Sequence, residues 1–285
     1  VANDLDTLLP CYLLSKIKRA ELVYDSHEYF TESAGLIKGG FSKKVWLAIE
    51  RYIFPKLKRV STVNDSIANI YKEKYEVDVK VVRNIPPQYT LVKTKTKSDL
   101  GIPEDKKMIL LQGGYIDFDR GGKELVEAMG NVSSAVLFVI GAGQEIPEMK
   151  RIVEVKQLSD KVKILPKIPY EELQQYTLNS DLGISIDRPT NLNYKYSLPN
   201  KLFDYMRAEI PILMSRLPEI EVINSKYEIG LMIDNHKPEH LAVKIEEALE
   251  HPNYTLWKSN LKEASRKYSW DNECQQLELM YKDLF

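Results

Sequence analysis

The sequence predicts an α/β protein of two parallel-sheet domains, the first of them incomplete. Three observations carry this. Short apolar runs alternate with helix-period segments almost throughout, which is the pattern of parallel sheets covered on both faces. The 285 residues are long for one such unit and comfortable for two. A proline-led polar connector, from Asn84-Ile85-Pro86-Pro87 to Lys97, divides the chain.

In order, residues 1–90 offer a helix over Asp6–Lys18, a strand at Ala20–Tyr24, a helix over Ser42–Leu57, a strand at Val60–Val63, a helix over Asp65–Lys74 and a strand at Val79–Val82. Three strands make a thin domain. Residues 91–267 offer strands at Met108–Leu111, Val136–Ile140, Val162–Leu165, Leu182–Ile186, Ile212–Met214 and Gly230–Ile233. Helices are expected between them, including Gly122–Met129, Tyr170–Thr177 and Pro238–Leu249, then Tyr254–Lys267. A closing helix over Asp271–Leu284, in a tail of 268–285, is expected to pack back on the first domain.

Composition excludes several classes. A net charge of −1 argues against a general nucleic-acid binder, and 44% hydrophobic residues support true cores. Cys11 and Cys274 have neither metal-ligand spacing nor a disulfide framework, which fits a reducing, cytoplasmic setting. No apolar run approaches the roughly 18–20 residues of a membrane span, and Val1-Ala2-Asn3-Asp4 does not read as a signal peptide.

The most informative stretch runs from Asn193 to Met206, after an apolar strand. Ser197 and Pro199 suit a helix start, Ser as a cap and Pro in the first turn. Such a start favours anions; Lys201 adds a full charge, and Asp204, three residues on, shares its face. A cation for phosphate beside a carboxylate for sugar hydroxyls suits a nucleotide-sugar site. Gly113-Gly114 ends a strand where backbone can approach a phosphate, and Arg120 follows at the next helix start. Gly141-Ala142-Gly143 lacks the full G-x-G-x-x-G pattern, since position 146 is Ile. Asp25-Ser26-His27-Glu28 sits at a strand end, where open α/β sheets bind ligands, with Asp25 or Glu28 placed to orient His27. Position 31 is Thr, so H-E-x-x-H is absent. Of two D-x-D runs, Asp4-Leu5-Asp6 reads as a helix start with Asp6 as cap, and Asp117-Phe118-Asp119 as part of the glycine-turn loop. Neither is expected to hold a metal. Lys38–Arg59 interleaves seven cations with aromatic and aliphatic residues against the single acid Glu50; it reads as a solvated core helix or as a face for an anionic membrane.

Ser197-Leu198-Pro199-Asn200-Lys201-Leu202-Phe203-Asp204-Tyr205, followed by Pro211-Ile212-Leu213, resembles the donor-site motif of GT-B glycosyltransferases, especially the retaining family-4 group. The resemblance extends over most of the chain, including Tyr24–Glu28 and Tyr268-Ser269-Trp270. It implies two Rossmann-like domains with a cleft between them, and sugar transfer from a nucleotide-diphosphate sugar to a glycan or lipid-linked acceptor, as in polysaccharide biosynthesis. His27, Arg120 and Lys201 are implied as catalytic, with Gly113, Gly114, Arg120, Ser197, Asn200, Lys201 and Asp204 holding the donor. No cofactor is implied beyond the donor substrate. Where many relatives carry a first glutamate this chain has Tyr196, and Asp204 stands for the second. The segment corresponding to 1–90 looks like the later half of a GT-B N-terminal domain, so self-association through its open sheet is expected. Contact with a membrane surface through 36–59 at the inner face of the cell membrane is expected as well. The rival readings are a nucleotide-sugar 2-epimerase and a non-catalytic nucleotide-sugar-binding subunit.

Overall fold

The structure, a computed structural model, describes residues 1–36, 39–87, 92–282 and 284, with the side chain of residue 34 left aside. The expected boundary at 90/91 and Lys38 of the basic segment lie outside the described residues. The first sheet has four parallel strands in chain order: β1 (Ala2–Asn3), β2 (Val23–Ser26), β3 (Arg59–Thr62) and β4 (Val79–Val81). One more strand is present than the sequence pattern gives, because Ala2 and Asn3 pair with Tyr24 and Asp25. Two residues are too few to show a period.

Helix α1 (Asp4–Lys18) follows at once, so Asp6 is not its cap; Asn3 holds that position. A tertiary bond marks the start, since the Asp4 carboxylate accepts from the His27 backbone N–H at 2.8 Å. Helix α2 (Phe41–Ile53) ends four residues before the expected Leu57, where a short 3₁₀ turn containing Pro55 takes over. Helix α3 (Asp65–Tyr75) is capped by Asn64, whose side chain accepts from Ile67 N–H at 2.9 Å. Tyr24, Phe54, Tyr71 and Tyr75 form the aromatic centre of this domain.

The second sheet contains β5 (Lys107–Gly113), β6 (Ala135–Gly141), β7 (Val162–Leu165), β8 (Leu182–Ser185), β9 (Ile212–Ser215) and β10 (Gly230–Ile233). All are parallel, in the order β10-β9-β8-β5-β6-β7. Every residue of β6 is buried, as expected of a strand with helices on both faces. The helices are α4 (Gly122–Ala128), α5 (Ile146–Val155), α6 (Tyr170–Asn179), α7 (Leu192–Lys195), α8 (Asn200–Arg207), α9 (Pro218–Tyr227), α10 (Pro238–Leu249), α11 (Tyr254–Lys267) and α12 (Trp270–Tyr281). One core layer centres on Leu125, Ile152, Leu241 and Ile245, and the opposite layer on Phe203, Met206, Ile220 and Leu261.

Two features of this arrangement place the site. Strand order reverses between β5 and β8, and the crevice beyond the carboxyl ends of such a pair is where open α/β sheets bind ligands. Helix α8 is held over that pair by Tyr205, whose hydroxyl donates to Leu110 O at 2.8 Å. Its ring occupies the space that a side chain at residue 183 would need, since a Cβ there would lie 2.6 Å from the ring. Lys201, one turn before Tyr205, is thereby carried to the crevice. Helix α12 returns to the first domain: Arg59 donates to Met280 O, and Arg83 N–H donates to Glu273 at 2.8 Å.

Candidate active site

A cavity of about 320 Å³ opens between the carboxyl ends of the two sheets. His27 and Glu28 line it from the first domain; Gly113, Gly114, Arg120 and Lys201 line it from the second. An adjoining cavity of about 400 Å³ shares Gly113, Gly114, Asn200 and Lys201. It extends over Ile140, Ile168 and Leu173 to Tyr170 and Asp204, a mostly apolar pocket with polar groups at its end. The Lys167–Tyr170 part of this wall was not singled out by sequence. Its signal was a Pro-Tyr helix start just past a strand end.

The shared wall is the start of α8, and it differs from the sequence expectation. Pro199, not Ser197, occupies the N-cap position, with no side-chain cap. The Ser197 hydroxyl instead donates back to Tyr194 O at 2.9 Å, because α7 places that carbonyl within reach. The first N–H groups of α8 therefore receive no side-chain cap, and both cavities abut Asn200 and Lys201. Uncapped N–H groups and the helix dipole favour an anion.

Arg120 and Lys201 flank this start. Behind them lies Asp187, just beyond β8, with no exposed side-chain surface. Its carboxylate meets Arg120 at 3.2 Å and Lys201 at 3.2 Å. Sequence reading missed Asp187; a lone acid after an apolar strand carries no pattern of its own. Burial pulls the Lys201 ammonium below its ordinary range, and Asp187 opposes that pull. Arg120 also lies over the Tyr194 ring, 4.4 Å from its centroid.

The glycines divide by role. A Cβ at Gly114 would meet nothing within 4 Å, so its bare backbone faces open space. A Cβ at Gly143 would fall 1.9 Å from Ile116 O, and one at Gly141 would fall 2.1 Å from Gly113 O. Those two glycines let strand ends and turns approach each other, which is a structural duty.

Asp204 and Lys201 do not face each other's charge. Asp204 accepts from Tyr170 at 2.6 Å and from Gln112 Nε2 at 2.9 Å. Burial holds its carboxyl above the ordinary range and pushes the Tyr170 hydroxyl up to about 12. Arg207 donates to the same Tyr170 oxygen at 2.7 Å.

Across the cleft, His27 Nε2 lies 3.1 Å from Asp25, and its ring also faces Asp4 at 4.0 Å. Asp25 rather than Glu28 is thus the orienting acid. Glu28 accepts from Asn193 Nδ2 at 2.7 Å, and burial raises its carboxyl. The first D-x-D pair serves His27 through Asp4. In the second, the Asp119 carboxylate accepts from Thr190 at 3.0 Å. No cluster of three potential metal ligands occurs among the described residues. Tyr196, in place of a carboxylate, packs on the core of the first domain, while its carbonyl accepts from Asn64 at 2.7 Å.

Two parallel-sheet domains facing across a cleft, with cations and an open helix start at the switch point of the second, define a glycosyltransferase of the GT-B fold. Residues 92–268 match the family described as glycosyl transferases group 1, and the chain belongs to that family. No curated protein sequence gives a significant match. Among solved structures it is similar to HepE of Anabaena, crystallised with UDP, at a TM-score of 0.78 and 16% identity over 99% of this chain and 77% of that one. It is also similar to a sucrose-phosphate synthase from Thermosynechococcus elongatus, at 0.73 and 18% over 99% and 72%. A third is WaaG, a glycosyltransferase involved in lipopolysaccharide biosynthesis, at 0.68 and 15% over 95% and 80%.

Proposed function

We propose that the cleft binds a nucleoside diphosphate sugar and passes its sugar to a hydroxyl of a glycan or lipid-linked glycan, with retention at the anomeric carbon and without a metal. The observation that carries this reading is the convergence of Lys201, the uncapped start of α8 and the open face of Gly114 on one wall shared by two cavities, with Arg120 beside it in the cavity that His27 lines. Diphosphate on that wall sets the nucleoside into the pocket ending at Tyr170 and Asp204. The sugar then projects into the cavity between the two sheets, toward His27. Asp204 keeps acceptor capacity for ribose hydroxyls, since a carboxylate offers about four lone-pair sites.

The difficult step is departure of the charged diphosphate as the sugar develops oxocarbenium character. Positive groups fixed before the reaction stabilise that charge without reorganising. His27, oriented by Asp25 and Asp4, is placed to hold the reacting sugar or the incoming hydroxyl. HepE is described in complex with UDP and glucose and with UDP-glucose, which supports a nucleotide-sugar donor here.

The described residues contain no helix long and apolar enough to cross a membrane. We place the enzyme in the cytoplasm, in polysaccharide assembly, at the inner membrane face. Helix α2 supports the last point: Phe41 and Tyr52 are 82% and 62% exposed on the side that also carries Lys44, Val45 and Arg51. Self-association at the β1 edge is supported by the exposed Leu13, Leu14 and Ile17 of α1, and light scattering tests it.

A thermal-shift screen of UDP-, GDP-, ADP-, dTDP- and CMP-linked sugars tests the donor reading, followed by donor turnover with and without acceptor. Stabilisation by at least one donor is expected. No shift with any of them would remove the nucleotide-sugar reading.

A further inference from the structure

We infer that Asp187 is a positioning residue for the donor phosphates, holding Arg120 and Lys201 side by side at the cleft wall. The inference rests on the reading that a diphosphate occupies that wall.

The geometry separates Asp187 from the cavity it serves. Its side chain has no exposed surface, while Arg120 and Lys201 are 26% and 11% exposed and line the cavity in front of it. Each carboxylate oxygen is assigned to one cation: Oδ2 lies 3.2 Å from Arg120, and Oδ1 lies 3.2 Å from Lys201. Oδ2 has no hydrogen-bond partner beyond that ion pair. A buried ion triad is a poor device for stability alone, because desolvation offsets most of the attraction. It is a good device for aiming two like charges at one point. Two cations and one carboxylate leave a net positive wall, and each cation keeps donors free for the cavity side.

The neighbouring charges leave this task to Asp187. Arg188, the next residue, is taken up by Glu124 of α4 at 2.7 Å. His236, before α10, faces Ile186 O at 2.9 Å. Glu28, across the cleft, is held by Asn193. Without Asp187, Lys201 would face Arg120 in a buried setting, and both burial and that like charge favour loss of its proton.

The test compares the wild type with Asp187→Asn and with the double variant D187N/K201R, titrating UDP, GDP and ADP and the matching free nucleosides by calorimetry from pH 6 to 9. Asp187→Asn is expected to weaken the nucleoside diphosphate that the wild type binds by at least about tenfold. The loss should grow as pH rises, while nucleoside binding stays within about twofold. The double variant, with a guanidinium that keeps its proton, should recover a flat pH profile. Unchanged diphosphate affinity in Asp187→Asn, or equal loss of nucleoside and diphosphate, would overturn the inference, the second by showing a merely structural role. Should Asp187→Asn not fold, Asp187→Glu decides: its longer carboxylate displaces both cations while keeping the charge, so diphosphate binding is expected to weaken more than nucleoside binding, and unchanged diphosphate affinity would overturn the inference. A wild type that binds none of the three diphosphates, and that no donor of the thermal-shift screen stabilises, would instead sink the donor reading itself.

Discussion

Asn193 of the second domain donates through Nδ2 to the Glu28 carboxylate of the first at 2.7 Å. Its Oδ1 accepts from the Tyr29 backbone N–H at 3.0 Å. One amide therefore spans the cleft with both ends used, beside the cavity that His27 and Arg120 line. Asn64 to the Tyr196 carbonyl, and Ser66 N–H to Glu219, are further ties between the domains, each at 2.7 Å.

Asn193→Ala should release both bonds. The expected cost is about 1–3 kcal/mol, since Glu28 and the Tyr29 N–H lose buried partners. Urea unfolding measures it, and small-angle scattering should show a more open cleft. Unaltered stability would mean that Asn193 does not tie the domains in solution.

Arg120→Ala and Lys201→Ala should each weaken nucleoside diphosphate binding by about 1.5–3 kcal/mol, with smaller effects on the free nucleoside. Calorimetry with paired ligands checks this, and equal losses for both ligands would take the two cations away from the phosphates. In the same experiment EDTA should leave donor binding intact. Loss on EDTA with recovery on magnesium would show that a metal carries part of the phosphate charge.

Gly114→Ala and Gly143→Ala should fail in opposite ways. The new methyl at Gly114 meets no protein atom within 4 Å, so melting should hardly move while donor affinity drops. At Gly143, with φ of +146°, the methyl would fall 1.9 Å from Ile116 O, and a loss of more than about 1 kcal/mol of stability is expected. Tight donor binding by Gly114→Ala would show that the space in front of that residue is not used.

Asp204 and Glu28 should each favour the folded state less as pH rises through the acidic range. Burial raises the Asp204 and Glu28 carboxyls above their ordinary values of 3.8 and 4.5, so the folded state binds their protons more tightly than the unfolded one. That contribution is fully present below the ordinary values and is lost as pH rises through the raised ones. Asp204→Asn with Glu28→Gln should remove that decline as pH rises above the ordinary carboxyl values. Denaturation midpoints across that range measure it, and an unchanged slope would assign it to other groups.

Binding to sedimenting vesicles should require anionic lipid and the exposed face of α2. Lys44→Glu with Arg51→Glu should abolish it at about 0.1 M salt, where surface attraction acts over about 10 Å. Equal binding to neutral vesicles, or no effect of the substitutions, would exclude this face.

The sequence by itself determined the alternation of apolar runs and helices, and with it two parallel sheets, because burial on both faces leaves a near-continuous apolar signature. It also marked Gly113-Gly114, Arg120 and the stretch through Lys201, whose residue types are restricted by backbone approach and charge. It could not show that β5 and β8 are neighbours, since strand order leaves no mark in local periodicity, and so it could not show that Asp187 lies behind Arg120 and Lys201. It misplaced the cap at Ser197 because α7 offers that hydroxyl a nearer acceptor in Tyr194 O, a matter of local competition for hydrogen bonds. It read Tyr196 as a missing carboxylate, whereas the ring packs on the other domain's core. Residue chemistry was legible along the chain. Which residues share a wall was decided by long-range packing, here by Tyr205 over Gly183 and by Asn193 across the cleft.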